Sequence, residues 1–186
     1  MYIQLVLYQV ISIFDLKHTN LHIDCHNVIK NYQYLNDHDL VRNGKSSHAE
    51  GWYEPNSNGD MVWKTAVEGS EIGVHFLDQP QLVDLRYAIQ ECCIIYNNRA
   101  QLDISWFNIM GKGSYIKAHS HKGAFVSGAY YPYVEENSCP LIFENGVSIA
   151  PQIGMLILFP GILEHKTMPN QSEKRITVSI NCNPIM

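Results

Sequence analysis

Apolar and polar residues change their period along this chain, and the change divides it in two. Residues 1–14, MYIQLVLYQVISIF, are rich in Val, Ile, Leu and Tyr and predict a first β-strand. Cys25, Val28, Ile29 and Tyr32 then recur at three- and four-residue intervals, which predicts a helix with Thr19 or Asn20 as its N-cap. From about 36 to 73 the chain turns polar, VRNGKSSHAEGW and EPNSNGD being interrupted only by short apolar pieces such as MVW. That composition predicts a long surface loop carrying one or two short strands. Within DQPQLVDLRYAIQECCIIYNN, Leu82, Leu85, Ile89, Cys92, Cys93 and Tyr96 return to helical spacing. Asp78 and Pro80 suit a helix start, so a second helix is expected there.

After residue 103 the period shortens to two. DISWFNIM, YIKAHSH, AFVSGAYYPYV, PLIFEN, MLILFP and RITVSIN read as short strands. Turn signals part them at Gly111 to Gly113, Lys122-Gly123, Asn145-Gly146 and MPNQSEK. Evenly spaced short strands predict a sandwich or barrel, giving a mainly β protein with flanking helices. No repeat or linker interrupts the chain, so one domain over 1–186 is expected, its 1–102 region packed on a β core of 103–186.

A chain of 186 residues can bury a sizeable core without disulfides or structural metals. Its net charge of −5 and the lack of any cluster of five basic residues remove the electrostatic footprint of a general nucleic-acid binder. Direct nucleic-acid contact is therefore not expected. The five cysteines form no Cys-x-x-Cys and read as reduced thiols of a cytoplasmic protein. The opening apolar stretch lacks a basic start and a small-residue cleavage site, and it contains Gln4 and Gln9. It is too short to span a bilayer, so no membrane association is expected.

Three β segments carry polar residues that a plain core would not need. In an extended chain His119 and His121 share a face and Ser120 takes the other, which makes them either a metal-binding pair or a solvated strand edge. In KRITVSIN, Ile176, Val178 and Ile180 form one face, while Arg175, Thr177, Ser179 and Asn181 form another that is either solvated or a pocket lining. In LFPGILEHK the strand ends at Phe159-Pro160 and His165 follows; TMPNQSEK then turns the chain back, by hairpin or crossover, towards Arg175. A metal beside a fixed arginine suits a small dicarboxylate, chelated at one end and gripped at the other by the planar guanidinium fork. His22 and His26 lie four apart on the first helix without the glutamate of a helical metal motif, and they read as solvated. His18, His38, His48 and His75 have no partnered motif.

GSYIKAHSH resembles the metal-binding strand of the 2-oxoglutarate- and Fe(II)-dependent oxygenases, in their prolyl-hydroxylase-like branch, where a glycine precedes the first ligand as Gly113 precedes His119. The order Trp106-x-Asn108, His119-x-His121, Ser127-Gly128-x-Tyr130-Tyr131, Phe159-Pro160, His165, Arg175-x-Thr177 and Asn181 resembles a subgroup of that superfamily with an H-x-H motif, over about residues 103 to 182. The resemblance implies a double-stranded β-helix core of jelly-roll, cupin-like type, with Fe(II), 2-oxoglutarate and O2 as cofactor and cosubstrates. It implies His119 and His165 as iron ligands, and His121 as a third ligand where most of the superfamily carries a carboxylate. A neutral imidazole there leaves the site one unit more positive. It further implies that Arg175 binds the distal carboxylate of 2-oxoglutarate, that Thr177 adds a hydrogen bond, and that Tyr131 lies against the same carboxylate. Asn108 either bonds the cosubstrate or holds a strand, and no catalytic residue beyond the metal site is implied. Glu144 and Glu164 are further carboxylates near the motif, at spacings that do not match a ligand.

The implied activity is hydroxylation of a C–H bond in a peptide or small-molecule substrate. The loop from 36 to 73, with Trp52, Tyr53 and Trp63, would serve as a lid. Two other readings remain at this point. One is a three-histidine cupin-type dioxygenase whose substrate chelates the metal without 2-oxoglutarate, and the other is a non-catalytic β-sandwich binding module.

Overall fold

A computed structural model describes residues 6–8, 10–36, 63–64 and 75–185. Ten strands appear in chain order: β1 (Val6–Tyr8), β2 (Ile11–Asp15), β3 (Trp63–Lys64), β4 (Ala100–Met110), β5 (Val126–Val134), β6 (Leu141–Phe143), β7 (Ser148–Ile149), β8 (Met155–Pro160), β9 (His165–Thr167) and β10 (Arg175–Pro184). Helices α1 (Leu21–Asn36) and α2 (Val83–Tyr96) precede β4. The strands form a seven-stranded sheet in the order β1-β2-β8-β5-β10-β4-β3 and a three-stranded sheet in the order β7-β6-β9. This is the jelly-roll arrangement expected, with both helices on one side.

Strand alternation builds two cores from one sheet. Val126, Tyr130, Leu156, Leu158, Ile176, Val178, Ile180 and Cys182 point to the helices, where Cys25 and Ile29 of α1 and Leu85, Ile89, Cys92 and Cys93 of α2 meet them. The intervening positions Ala129, Tyr131, Ile157 and Phe159 point the other way and pack on Leu141, Phe143 and Ile149 of the small sheet. The helical spacing seen in the sequence is thus the burial stripe of each helix. α2 also holds the edge of β4, since Gln90 accepts from the Leu102 N–H (2.8 Å) and donates to the Ala100 carbonyl (3.0 Å). Gly128 sits where strands pack closest: a Cβ there would lie 2.6 Å from Leu158 Cδ2, 2.9 Å from Ile180 Cγ1 and 3.0 Å from the Ile157 carbonyl.

Several expectations are corrected. The stretch read as one opening strand is a hairpin, β1 pairing with β2 from Val6↔Ile13 to Tyr8↔Ile11. Folding back there lets β2 pair with β8 along its other edge. The run 115–121 is not a strand; it meets β9 at the isolated bridge His119↔His165 and where the Thr167 N–H donates to the Ile116 carbonyl (3.0 Å), and a bend at Ala118 keeps these contacts from forming a ladder. Pro80 opens a short 3-10 turn, Pro80–Leu82, and α2 itself starts at Val83. Asn20 takes a left-handed φ of 59°, and the Thr19 hydroxyl accepts from the Leu21 N–H at 3.3 Å. Of the polar stretch 36 to 73, β3 is described, pairing Trp63 with Ile109 and Lys64 with Asn108; Trp52, Tyr53, His38 and His48 lie outside the described residues.

His22 and His26 are only partly solvated. Both are half-buried, the His26 ring lies 4.6 Å from the Tyr133 ring, and His22 Nδ1 and His26 Nε2 are buried without a hydrogen-bond partner. Burial lowers both pKa values below the ordinary 6.5, with Lys17 assisting at His22 and Lys174 and Lys30 at His26. Those lysines also disfavour a second cation beside the pair.

Replacing Gly128 by Ala should destabilise the protein by about 1–3 kcal/mol through overpacking against a strand backbone, read as a lower urea midpoint. The two α1 histidines bind protons more weakly folded than unfolded, so stability should fall as pH drops through the unfolded value near 6.5. Urea midpoints of metal-free protein between about pH 7.5 and 5.5 should decline less in the His22→Gln/His26→Gln variant.

Candidate metal centre

His119 and His165 face one another across the isolated bridge, exchanging both backbone hydrogen bonds at 3.0 and 2.9 Å. Their ring centroids are 4.3 Å apart. Each ring is turned by the same local device: Nδ1 lies 2.8 Å from the Lys117 carbonyl in His119 and 3.0 Å from the Leu163 carbonyl in His165. A carbonyl only accepts, so Nδ1 carries the proton in both rings and each Nε2 keeps its lone pair. That is the tautomer and orientation a metal ligand needs. Burial lowers the pKa of His165 further than the Leu163 carbonyl raises it, which keeps that imidazole neutral.

His121 reaches the pair from a turn. Its N–H donates to the Gly161 carbonyl (2.7 Å) and its carbonyl accepts from the Ala124 N–H (2.8 Å). A Cβ at Gly161 would run into the carbonyls of Ala124 and His121, so this close approach requires glycine. The His121 ring lies 5.2 Å from His119, 5.3 Å from His165 and 5.6 Å from the indole of Trp106, centroid to centroid. One ligand atom from each of the three imidazoles falls within 4.8 Å of the others, which fits a divalent transition ion. Glu144 and Glu164 stay out of this group; both are exposed, and Glu144 accepts instead from the Glu164 N–H at 3.3 Å.

Arg175 occupies the other end of the same cleft. It is 2% exposed, and no carboxylate pairs with it among the described residues. Nη1 donates to Thr177 Oγ1 (2.9 Å) and approaches Met110 Sδ (3.1 Å), Nη2 donates to the Tyr131 hydroxyl (3.3 Å), and Nε has no partner. Its Cζ stands 5.0 Å from the Tyr131 ring centroid. Burial raises the Tyr131 pKa against the opposing pull of Arg175, so the phenol keeps a proton to donate. A guanidinium taken out of water without a counter-charge is costly unless an anion completes it.

The sites share one wall. Arg175, Thr177 and Ser179 alternate on β10, opposite Met110, Asn108 and Trp106 of β4, and roughly 13 Å of extended strand spans Arg175 to Ser179. The cleft also takes in Ile116, Tyr131, Leu141, Phe159 and Thr167. Of the β10 face left open between solvent and pocket, Arg175, Thr177 and Ser179 line the cleft, whereas Asn181 lies outside that lining and accepts from the Ser127 hydroxyl at 2.7 Å. Asn108 holds the two strands together, its Nδ2 donating to Ser179 Oγ (3.0 Å), and its Oδ1 is buried in the cleft without a partner. His165 and Arg175 are linked by a crossover from the small sheet to the large one.

Asn170 was not legible as a site residue. Wholly buried, it accepts from the Cys139 N–H through Oδ1 (2.9 Å), while Nδ2 donates to the carbonyl of Ser172 (3.0 Å) and to those of Met110 and Gly111 (both 3.4 Å). Its backbone bonds Ser114 and Gly113 at 2.8 and 2.7 Å. It thereby ties the crossover to the end of β4 beside Arg175. In the sequence it is one polar residue of a turn-like run, and nothing local marks it as buried.

Residues 136–181 match a family model described as "Putative 2OG-Fe(II) oxygenase", a segment that includes His165, Arg175 and Thr177. No curated protein matches the chain. Among solved structures, a Pseudomonas putida prolyl-4-hydroxylase superposes with a TM-score of 0.61 at 13% identity, over 95% of this chain and 93% of that one. A viral collagen prolyl hydroxylase from Paramecium Bursaria Chlorella virus-1, in its 2-oxoglutarate complex, gives 0.58 at 14% identity over 96% and 98%. A non-haem α-ketoglutarate-dependent carbocyclase from nogalamycin biosynthesis gives 0.56 at 9% identity over 86% and 75%. The resemblance to prolyl-hydroxylase-like oxygenases and the jelly-roll fold are borne out, and Fe(II), 2-oxoglutarate and O2 are the set such an oxygenase requires.

Asn170→Ala strands the Cys139 N–H and several carbonyls at once. It should lower stability by about 2–4 kcal/mol, measured by urea unfolding, more than Asn170→Asp, which keeps the acceptor.

Proposed function

We propose that this chain is a non-haem Fe(II)- and 2-oxoglutarate-dependent dioxygenase that hydroxylates a C–H bond of a peptide or small molecule, acting as one domain. The family match and the fold support the oxygenase class. The finer reading is carried by one observation: three imidazoles able to share an ion and a buried arginine lacking a counter-charge stand at two ends of one cleft. A metal-binding keto diacid fits both ends at once, which neither end explains alone.

His119, His165 and His121 would hold the ion, the first two through Nε2. Arg175, with Thr177 and Tyr131 fixing its remaining donors, would orient the distal carboxylate, and the protonated Tyr131 hydroxyl can donate to the same group. The apolar walls, Ile116, Leu141 and Phe159, exclude water around them. Bound iron(II) supplies the redox chemistry by which dioxygen and 2-oxoglutarate are consumed together, giving succinate, carbon dioxide and oxidised substrate. Asn108 offers a further polar contact midway along the cleft. A cosubstrate-free three-histidine dioxygenase would leave Arg175 without a carboxylate, and a binding module would leave the convergent imidazoles unexplained. No helix among the described residues is long and apolar enough to cross a membrane.

Anaerobic titration with Fe(II) and then 2-oxoglutarate should develop the weak visible charge-transfer band of the chelate. Arg175→Ala should weaken 2-oxoglutarate binding by about 100-fold with Fe(II) uptake unchanged, the loss expected for a buried charge-assisted pair. His165→Ala should abolish Fe(II) uptake. Turnover that is unchanged in Arg175→Ala and needs no 2-oxoglutarate would instead support the cosubstrate-free reading.

A further inference from the structure

Charge, more than shape, sets this cleft apart from the rest of the molecule. The chain as a whole is acidic, at −5. Yet the described lining of the cleft holds His119, His121, His165, Lys166 and Arg175, and not one aspartate or glutamate. Glu144 and Glu164 are close in sequence to His165, but both side chains are exposed and outside that lining. The position from which a carboxylate would offset a metal ion is His121, whose imidazole brings no negative charge.

Charge balance follows directly, and it rests on the function proposed above. A divalent ion and the Arg175 guanidinium together bring three positive charges, and dianionic 2-oxoglutarate brings two negative ones. Lys166 is exposed and water screens it, so it stays out of this count, and a single positive charge is left over inside a cleft walled by Phe159, Leu141, Ile116 and Tyr131. A buried charge of this kind is stabilised by one ligand of opposite sign. A phosphate monoester, close to doubly charged at neutral pH, would overshoot the balance.

We infer that the substrate taken at this site is a carboxylate monoanion, selected because the described lining, with His121 at the third imidazole position, supplies no negative charge of its own. Charge selection of this kind acts on binding before any chemistry. It predicts discrimination between a carboxylic acid and its own amide, which are nearly the same in size and differ by one unit of charge.

Protein loaded with Co(II) and 2-oxoglutarate, held without oxygen, provides the readout: calorimetry together with the Co(II) visible absorption, titrated with propanoate, propanamide and methyl phosphate. Propanoate should bind at least about tenfold more tightly than propanamide and more tightly than methyl phosphate. His121→Asp should erase that preference, whereas His121→Asn, which adds no charge, should keep it. Equal binding of acid and amide by the unaltered protein would overturn the inference, even if neither variant folds. So would a preference for methyl phosphate, or a propanoate preference that survives His121→Asp. If Co(II) and 2-oxoglutarate bind but propanoate shows no advantage, only this inference falls; if they do not bind, the proposed function falls with it.

Discussion

A guanidinium buried to 2% exposure, with no carboxylate to meet it among the described residues, is the constraint on which the site depends. Thr177, Tyr131 and Met110 occupy part of its donor set, and their neutral atoms orient the charge without cancelling it. A buried charge without a counter-charge costs stability, a cost that a bound anion would offset. Stability given up in this way is typical of a binding site and has no use in a passive core. The surrounding knot of Asn170, Ser172 and the end of β4 holds Arg175 in place.

The opposite end of the cleft depends on backbone geometry. A single antiparallel bridge sets His119 and His165 face to face, and the same contact from Nδ1 to the carbonyl two residues earlier turns both rings alike. The third imidazole arrives through a turn that only Gly161 allows. A centre arranged in this way would need little reorganisation to take an ion. Between the two ends lies β10, which serves two cores at once: its apolar residues anchor it beneath the helices, and its polar residues line the cleft. Rigidity on one face is what gives precision on the other.

Much of this was legible in the chain itself. The switch from helical to alternating spacing located both helices and strands β4, β5, β6, β8 and β10, because burial on one face imposes its period on the sequence. The split of β10 into an apolar and a polar face was equally plain, as was the set His119, His121, His165 and Arg175 as candidates. The opening hairpin was hidden because Gln9-Val10 carries no strong turn signal between two β-rich runs.

What the sequence by itself determined was therefore the alternation: which residues share a face, and which chemistry each face could offer. Which faces are buried was decided by the tertiary structure. His22 and His26 looked solvated until α1 packed on the sheet, and the polar face of β10 became a pocket only when the small sheet closed over it. Asn170 became central because contacts distant in sequence converge on it. Spacing records a local period, whereas burial and convergence are properties of non-local packing, and a linear pattern cannot encode a distance between strands it does not join.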